Sequence, residues 1–228
     1  MINLNELEIA CYLYNKFTNY DAEYLKLRDK GVINFSDERK ITSLIEWLRK
    51  WGCRQFRKRD KEGSIKSLQD WYNSNKLNLP DNELHIIDYN FDKNEKIKKC
   101  FNNLMEQTAS FRDNKRSKTK VRIGPVGAAK ILFAIRPHFF APWDTSIYKG
   151  LGFSGDGEGY MQYLKKIQKV LKNLKNECIK KGIKWDNLFK RLNKKHNSYP
   201  KLIDEYYWVS ITNKCKSSEI IDILINNT

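Results

Sequence analysis

The sequence is poor in the residues and spacings that mark several large protein classes. Its 228 residues include only five cysteines, and no two of them are as close as the C-x-x-C spacing of many metal sites. A scattered, odd set of thiols argues against a disulfide framework, a zinc site and an iron–sulfur cluster. We therefore expect reduced thiols and a cytoplasmic location. The cysteines are Cys11, Cys53, Cys100, Cys178 and Cys215.

Long apolar runs and clustered histidines are also missing. No apolar stretch approaches the roughly 20 residues that cross a bilayer, and the first residues lack the basic lead and apolar run of a signal peptide. His85, His138 and His196 are far apart in the sequence, so they suggest no metal centre. With 40% hydrophobic residues, the chain is expected to fold as a globular protein that does not enter a membrane.

Acidic residues are scarce relative to basic ones. The 43 lysines and arginines exceed the 27 aspartates and glutamates, which gives a formal net charge of +16. A large basic excess indicates a polyanionic partner, and DNA is the partner that we expect. The alternative is a compositional bias of the source genome, since lysine and asparagine are both abundant.

Helical spacing dominates the hydrophobic pattern. We expect an all-α protein without a strand ladder, in which 84–89 is the single β-type stretch. Ser36 is placed to cap one helix and Gly52 to end it, and a polar break follows Phe17. Helices are predicted at 7–17, 37–51, 65–72, 94–111, 128–135, from 145 onward, at 164–178, at 200–212 and at 219–225.

The segment IGPVGAAK, residues 123–130, carries the first functional motif. Gly124 and Gly127 bracket a Pro-Val pair, and an Ala-rich helix follows at once. Glycine permits positive φ and close approach of another backbone. Amide groups at the start of a helix are oriented to bind a phosphate. Gly124, Val126, Gly127 and Ala128 are therefore candidate contacts to a DNA backbone, and an ordinary turn between helices is the alternative.

Asp144 carries the second motif, as the only carboxylate between Thr119 and Phe153. Aspartate is a favoured helix N-cap, and helical spacing begins directly after Asp144. The cap is compatible with a catalytic role, because a carboxylate that accepts helix N–H bonds at the positive end of the dipole keeps its charge. Held between Trp143 and Tyr148, it could stabilise positive charge that develops on a sugar.

Together these segments resemble the helix-hairpin-helix-GPD superfamily of DNA glycosylases. VGAAKILFAI, followed by WDTSIYKGLG, is similar to the hairpin of that superfamily and to the catalytic Asp at the next helix start. The resemblance implies a phosphate-gripping hairpin over about residues 121–136 and a catalytic role for Asp144. It covers about thirty residues strongly and the all-helical layout weakly.

Three departures from the superfamily pattern qualify the resemblance. Gly and Pro are exchanged in GPVG, and Pro125 has no N–H. Bifunctional members carry a Schiff-base lysine where this chain has Ala129. Lys130 follows one residue later, about 100° further round a helix, so it is a candidate nucleophile whose alternative is an exposed helical lysine. The C-terminal iron–sulfur cysteine cluster of some members is missing.

Further segments supply candidates for a pocket that holds an extruded base. Asp204 and Trp208 share a helix face at i, i+4, and they resemble an Asp-x-x-x-Trp pair that lines the base pocket of archaeal-type 8-oxoguanine DNA glycosylases. Nearer the N-terminus, a tryptophan could stack on the base, and Arg or Gln could fill the gap in the duplex. Buried tryptophans, a solvated Asp and a basic loop are the alternatives. These other candidates are Trp47, Trp51, Arg54, Gln55 and Trp143.

A dense basic run precedes the hairpin. Such runs are usually solvated, but beside a phosphate-binding hairpin this one is a candidate strip for backbone contacts. It contains Arg112, Lys115, Arg116, Lys118, Lys120 and Arg122.

The predicted function is cleavage of the N-glycosidic bond of a base flipped out of DNA. Asp144 is the expected catalytic residue, and Lys130 is the candidate for an associated lyase step. The target is an oxidised base or a modified base in foreign (phage) DNA. A non-enzymatic helix-hairpin-helix module that binds nucleic acid is the alternative. A nuclease is disfavoured, because no carboxylate cluster has ligand spacing.

The predicted architecture is two helical subdomains with the active site in the cleft between them. A barrel (35–152) carries the hairpin, and an N-terminal arm (1–34) packs with the C-terminal subdomain (153–228). No cofactor is expected, apart from room for a monovalent cation at the hairpin carbonyls. We expect a monomer.

Overall fold

The computed structural model describes residues 2–58, 61–91, 95–114 and 117–214, and this part of the chain is mostly helical. The all-α expectation is confirmed in this coarse form. Short 3-10 helices at Lys76–Asn78, Ile86–Asp88 and Trp185–Asn187 lie between the longer helices, and a π-helical turn, Trp208–Thr212, follows the last. The α-helices are α1 (Leu4–Phe17), α2 (Tyr20–Asp29), α3 (Glu38–Lys50), α4 (Lys61–Asn75), α5 (Glu95–Met105), α6 (Gly124–Ile135), α7 (Thr145–Gly150), α8 (Gly157–Lys180), α9 (Leu188–Arg191) and α10 (Tyr199–Tyr207).

Side chains and a glycine set the ends of the early helices. Asn3 and Glu6 form a reciprocal capping box at the start of α1. The carboxylate of Asp37 accepts a hydrogen bond from the Arg39 N–H at 2.9 Å and caps α3. The expectation that Ser36 is this cap is therefore wrong by one residue. Gly52 ends α3 as expected, with a φ of +82°.

The expectation of no strand ladder is wrong, because the basic run forms a β-hairpin. β1 (Thr108–Asn114) pairs antiparallel with β2 (Ser117–Arg122). Along β2, basic side chains alternate with Thr119 and Val121, which is the period-2 pattern of a two-sided strand. A strand rather than a helix therefore leads into α6.

Two serines of α4 fix β1 to the helical body. The Ser64 hydroxyl donates a hydrogen bond to the Ala109 carbonyl at 2.6 Å, and the Ser67 hydroxyl accepts one from the Thr108 N–H at 2.9 Å. Because β1 already begins at Thr108, the helix predicted over 94–111 ends at Met105.

Two other segments differ from the expectation. Residues 84–89 are not a strand, since they contain a 3-10 helix whose carbonyls are bound by Gln168 of α8. Its amide donates to the carbonyls of Ile86 and Tyr89, at 2.7 Å each. The polar break after Phe17 instead contains α2, which buries only Tyr24 and Leu27 among charged side chains. The helix predicted at 219–225 lies outside the described residues.

A large hydrophobic cluster joins elements from the start to the end of the described chain. α6 lies within it, and Ile131, Leu132 and Phe133 are fully buried. α1 packs against α10, while α5 packs against α6 and α8. The subdomain boundaries at 34 and 152 remain predictions. Within the described residues, no helix is both long enough and apolar enough to cross a bilayer.

Candidate active site

A cavity of about 570 Å³ is lined by residues from α1, α2, α6, α7, α10, the π-helical turn after α10, and the loops after α3 and before α7. This volume lies within the 300–1,000 Å³ or so that is common for small-ligand pockets. Its aromatic residues are Tyr14, Tyr20, Trp51, Trp143 and Trp208, and its polar residues are Gln55, Lys130, Asp144, Thr145, Ser146, Asp204 and Thr212. Six of the polar or aromatic candidates thus meet with Asp144 in one place. Trp143 directly precedes it, and the other five come from elsewhere in the sequence: Trp51, Gln55, Lys130, Asp204 and Trp208.

Asp144 is held at the start of α7 by two hydrogen bonds. One carboxylate oxygen accepts from the Ile147 N–H at 2.8 Å, so the expected cap is present. The other accepts from the Thr212 hydroxyl at 2.7 Å. Since Thr212 belongs to the π-helical turn after α10, this hydrogen bond connects that turn to the start of α7. The carboxylate is fixed in direction, and both of its oxygens are engaged.

The start of α6 depends on small residues. Gly124 has a φ of +68°, a conformation that favours glycine. A Cβ on Gly127 would lie 2.8 Å from the Gln55 side-chain nitrogen. That nitrogen donates a hydrogen bond to the Ile123 carbonyl at 2.7 Å. Gly127 therefore allows the Gln55 side chain to reach the turn before α6.

The candidate phosphate contacts at this turn differ in accessibility. Gly124 and Val126 are half-buried, whereas Gly127 and Ala128 are buried. Val126 also lines the cavity. The Pro125 carbonyl accepts a hydrogen bond from the Trp143 indole at 3.1 Å, which ties the turn to the segment before Asp144.

Lys130 points into the same cavity as Asp144. Its ammonium group donates a hydrogen bond to the Trp51 carbonyl and lies 5.7 Å from the centre of the Trp51 ring. The lysine is half-buried rather than an exposed helical lysine. Position 130 thus brings an amine to the cavity, although it is one residue from the Schiff-base position of the superfamily pattern.

Asp204 and Trp208 lie on the cavity face of α10 and its π-helical extension. Trp208 packs edge-on against Tyr14, with ring centres 5.4 Å apart. Asp204 is only 6% exposed. Burial raises the pKa of Asp204 to about 8, with Asp144 and Glu205 adding to the rise and Lys201 and Lys130 opposing it. Asp204 is therefore mostly protonated at neutral pH.

Behind Tyr14 and Trp51 lies a buried charge cluster, which we define as Asp21, Lys194, His196, Lys201 and Glu205. The Lys201 ammonium lies 4.4 Å from the Tyr14 ring centre and 5.3 Å from that of Trp51. It contacts Asp21 at 2.7 Å and Glu205 at 3.0 Å. The Lys194 ammonium contacts Asp21 at 2.8 Å and Glu205 at 2.5 Å. The two lysines thus neutralise both acids from the interior.

The charges of this cluster stabilise one another. Burial opposes ionisation of Glu205, but Lys201, His196 and Lys194 outweigh it and hold the pKa of Glu205 below its ordinary value. In return, Glu205 leads the contacts that keep the pKa of Lys201 above its ordinary value despite burial. Asp21, His196 and Glu205 also offer three metal-type ligand atoms within 4.8 Å of one another. Because ammonium groups already contact both carboxylates, we interpret the group as an ion-pair cluster.

Sequence reasoning missed this cluster. Its members come from α2, α10 and the segment before α10, so no local spacing reveals them. The available signal was Lys201 and Glu205, an i, i+4 charged pair on a helix that also carries Leu202, Ile203 and Tyr207.

The remaining candidates lie outside the cavity. Trp47 is buried against Trp51, with ring centres 4.4 Å apart, and supports that wall from behind. Arg54 is exposed between two cavity-lining positions, Gly52 and Gln55. On β2, Lys118, Lys120 and Arg122 are exposed, and Arg122 forms an ion pair with Glu106 at 3.0 Å. Lys115 and Arg116 fall outside the described residues.

Comparison with protein-family profiles, with characterised proteins and with solved structures gives no match. The interpretation of the cavity therefore depends on its own residues and their chemistry.

Proposed function

We propose that the protein is a DNA glycosylase that binds a flipped-out base in the cavity and cleaves its N-glycosidic bond. The observation that supports this most is the convergence of a carboxylate, an amine and five aromatic residues on one cavity. The target would be an oxidised base, or a modified base in foreign DNA. The helix-hairpin-helix grip and the cleft between subdomains belong to the same proposal.

The aromatic lining suits a nucleobase. Each base presents a flat π-face, and stacking on an aromatic ring contributes about 1–3 kcal/mol per base. Trp51 and Trp208 are the cavity tryptophans that do not belong to the Asp144 segment. In the proposed complex they provide the stacking surfaces, and Gln55 would exchange its hydrogen bond to the Ile123 carbonyl for the opening left in the duplex.

Asp144 supplies the charge that the reaction needs. When the bond between C1′ and the base breaks, positive charge develops on the sugar, and a fixed carboxylate stabilises it without reorganisation. The hydrogen bonds from Ile147 and Thr212 provide that fixation. A water molecule then adds to C1′ and yields an abasic site.

Lys130 is the proposed nucleophile of an associated lyase step. The lysine amine adds to the C1′ aldehyde of the ring-opened abasic sugar and loses water to form a Schiff base, from which β-elimination expels the 3′ phosphate. Trapping with borohydride tests this role, because the reduced adduct stays attached to the protein. We expect a trapped DNA adduct for the wild type and for Lys149→Gln, an exposed lysine of α7. An adduct that survives Lys130→Gln would place the nucleophile elsewhere.

The β-hairpin is the proposed contact to the DNA backbone. β2 presents three exposed basic side chains and leads directly into α6. Ser110 of β1 donates a hydrogen bond to the Gln55 carbonyl at 2.7 Å, so the hairpin is attached to the cavity wall. Phosphate contacts along β2 would place the strand next to the cavity.

A non-enzymatic nucleic-acid-binding module is the second candidate. It is favoured by the full engagement of Asp144, since both carboxylate oxygens already accept hydrogen bonds within the protein. In that case Asp144 would only join α7 to the turn after α10.

Incubation with duplexes that carry different lesions and modifications, followed by mass detection of the released base, separates the two candidates. Asp144→Asn preserves a cap but lacks the negative charge, so we expect it to abolish release and to bind DNA at least as tightly as the wild type. Asp156→Asn is the matched control, because Asp156 caps α8 through Gly159 N–H at 2.9 Å and does not line the cavity. Release by Asp144→Asn at the wild-type rate would exclude the proposed role, and DNA binding without release from any duplex would favour the module.

A further inference from the structure

Building on the proposed glycosylase function, we propose that Asp204 is the general acid that protonates the departing base, and that the substrate is therefore an uncharged base rather than a cationic, N-alkylated one. Asp144 and Asp204 would then have opposite roles in the same cavity. The first stabilises the positive charge that develops on the sugar, and the second gives its proton to the leaving group.

Among the described residues, Asp204 differs from Glu205, the other buried acid, in having no hydrogen-bond or ion-pair partner for its carboxyl group. It is 6% exposed and lines the cavity. Within the described part of the chain, no group donates a hydrogen bond to its carboxyl oxygens, whereas Asp144 receives two. A nearly buried, unpaired carboxyl group is costly. Its free hydrogen-bonding capacity faces the space that a base would occupy.

The charged neighbours of Asp204 act on its pKa in both directions, and burial is the larger effect that favours the neutral form. Lys201 lies three residues earlier on α10, but its ammonium group is already bound to Asp21 and Glu205. Lys130 on α6 is engaged with the Trp51 carbonyl. Asp144 and Glu205 are negative charges that oppose ionisation of Asp204.

The other titratable groups that face Asp204 are tyrosines. Tyr14 of α1 and Tyr160 and Tyr163 of α8 interact with it electrostatically, and burial raises the pKa of each phenol well above its ordinary value. They are therefore neutral and do not compensate a charge on Asp204. The result is the pKa of about 8 for Asp204, which is suited to proton donation near neutral pH.

Atoms and charges balance in the proposed step. The C1′–N bond breaks and its electron pair moves to the base nitrogen, while the Asp204 proton moves to a ring nitrogen or carbonyl oxygen of the base. Water adds to the sugar cation at C1′ and transfers its surplus proton to Asp144. Exchange with solvent then restores both carboxyl groups. The products are a neutral free base and an abasic site.

A cationic base would gain nothing from this arrangement. An N-alkylated purine such as 7-methylguanine already leaves as a neutral molecule, so it needs no proton. The Lys130 ammonium in the cavity also opposes a second positive charge. The cavity therefore selects bases that carry an acceptor and no charge.

The test measures single-turnover release between pH 6 and pH 9 from duplexes with 8-oxoguanine, hypoxanthine, uracil or 7-methylguanine, each relative to its spontaneous loss. We expect acceleration for at least one neutral base and less for 7-methylguanine. The wild-type rate should fall as pH rises above about 8. For Asp204→Asn, we expect the neutral-base rate to fall about 100-fold or more at pH 7, without this pH dependence. Circular dichroism checks that the variant is folded, and the wild-type pH profile tests the idea without any variant.

Three results would overturn the inference. They are a rate for Asp204→Asn within threefold of the wild type, a wild-type rate that is constant from pH 6 to pH 9, and greatest acceleration for 7-methylguanine. Each leaves the glycosylase function intact, because bases are still released. Absence of release from these duplexes and from duplexes that carry modified bases of foreign DNA would instead refute the proposed function, and the role of Asp204 with it.

Discussion

Replacing Asp204 by asparagine is expected to stabilise the protein at neutral pH. The substitution preserves the shape of the side chain and removes an ionisable group that is only 6% exposed. Asparagine cannot ionise, so it avoids the penalty for holding a proton that the unfolded chain would release. A catalytic group that costs stability would be typical of an active site.

The size of this stability gain follows from the pKa of the Asp204 carboxyl group in the folded and in the unfolded protein. Burial raises the pKa of Asp204 from 3.8 to about 8 in the folded protein. Between these values the folded state binds more protons than the unfolded state, so the free energy of unfolding falls as pH rises. At pH 7 the chain is 7 − 3.8 = 3.2 pH units above the ordinary pKa, which corresponds to at most about 4 kcal/mol. At pH 4 the same cost is below about 1 kcal/mol.

Urea unfolding monitored by circular dichroism measures the difference. Wild type and Asp204→Asn are compared at pH 4, 5.5 and 7, and the stability gain of the variant should grow with pH. Asp70→Asn, at an exposed position of α4, is the control and should show no such trend. A gain that is equal at pH 4 and pH 7, or a loss of stability at pH 7, would show that the carboxyl group is not protonated through burial.

Glu205→Gln is expected to reduce the free energy of unfolding by about 3–5 kcal/mol, because it leaves buried ammonium groups, that of Lys201 included, without their counter-charge. The partners of Glu205 hold its pKa below the ordinary 4.5, so in the wild type this stabilisation is present above pH 4.5 and is lost as pH falls further. Gly127→Ala places a Cβ 2.8 Å from neighbouring side-chain atoms, and urea unfolding should show a loss of about 1–3 kcal/mol. Replacing Lys118 and Lys120 by Gln should weaken DNA binding similarly for all sequences and reduce the slope of log Kd against log salt by about 2. An unchanged slope in fluorescence anisotropy would place the DNA on another surface.

The parts of the site that depend on local spacing were predictable from the sequence. Asp144 was expected to cap a helix, and it does, because its carboxylate accepts a hydrogen bond from a backbone N–H of the first helical turn. Asp204 and Trp208 were expected on one face, and both line the cavity, because an i, i+4 pair shares a helix side.

The parts that depend on distant partners were not predictable. Thr212 binds Asp144 across 68 residues, and the buried charge cluster joins α2 to α10. The β-hairpin was missed for a related reason. The alternation of side chains along its strands is short and strongly charged. The hairpin is also stabilised by hydrogen bonds with the serines of α4, which no pattern within the hairpin reveals.

Glu205 and Asp204 are adjacent buried acids, but the fold surrounds their carboxyl groups differently. The fold brings Lys194, His196 and Lys201 to Glu205, so it can compensate a completely buried carboxylate. It provides no hydrogen-bond donor within the described residues for Asp204, the adjacent position on α10. A purely structural module would be more stable with asparagine at position 204. A nearly buried acid that lines the same aromatic cavity as Asp144 therefore favours the proposed use of its proton over a role in support of the fold alone.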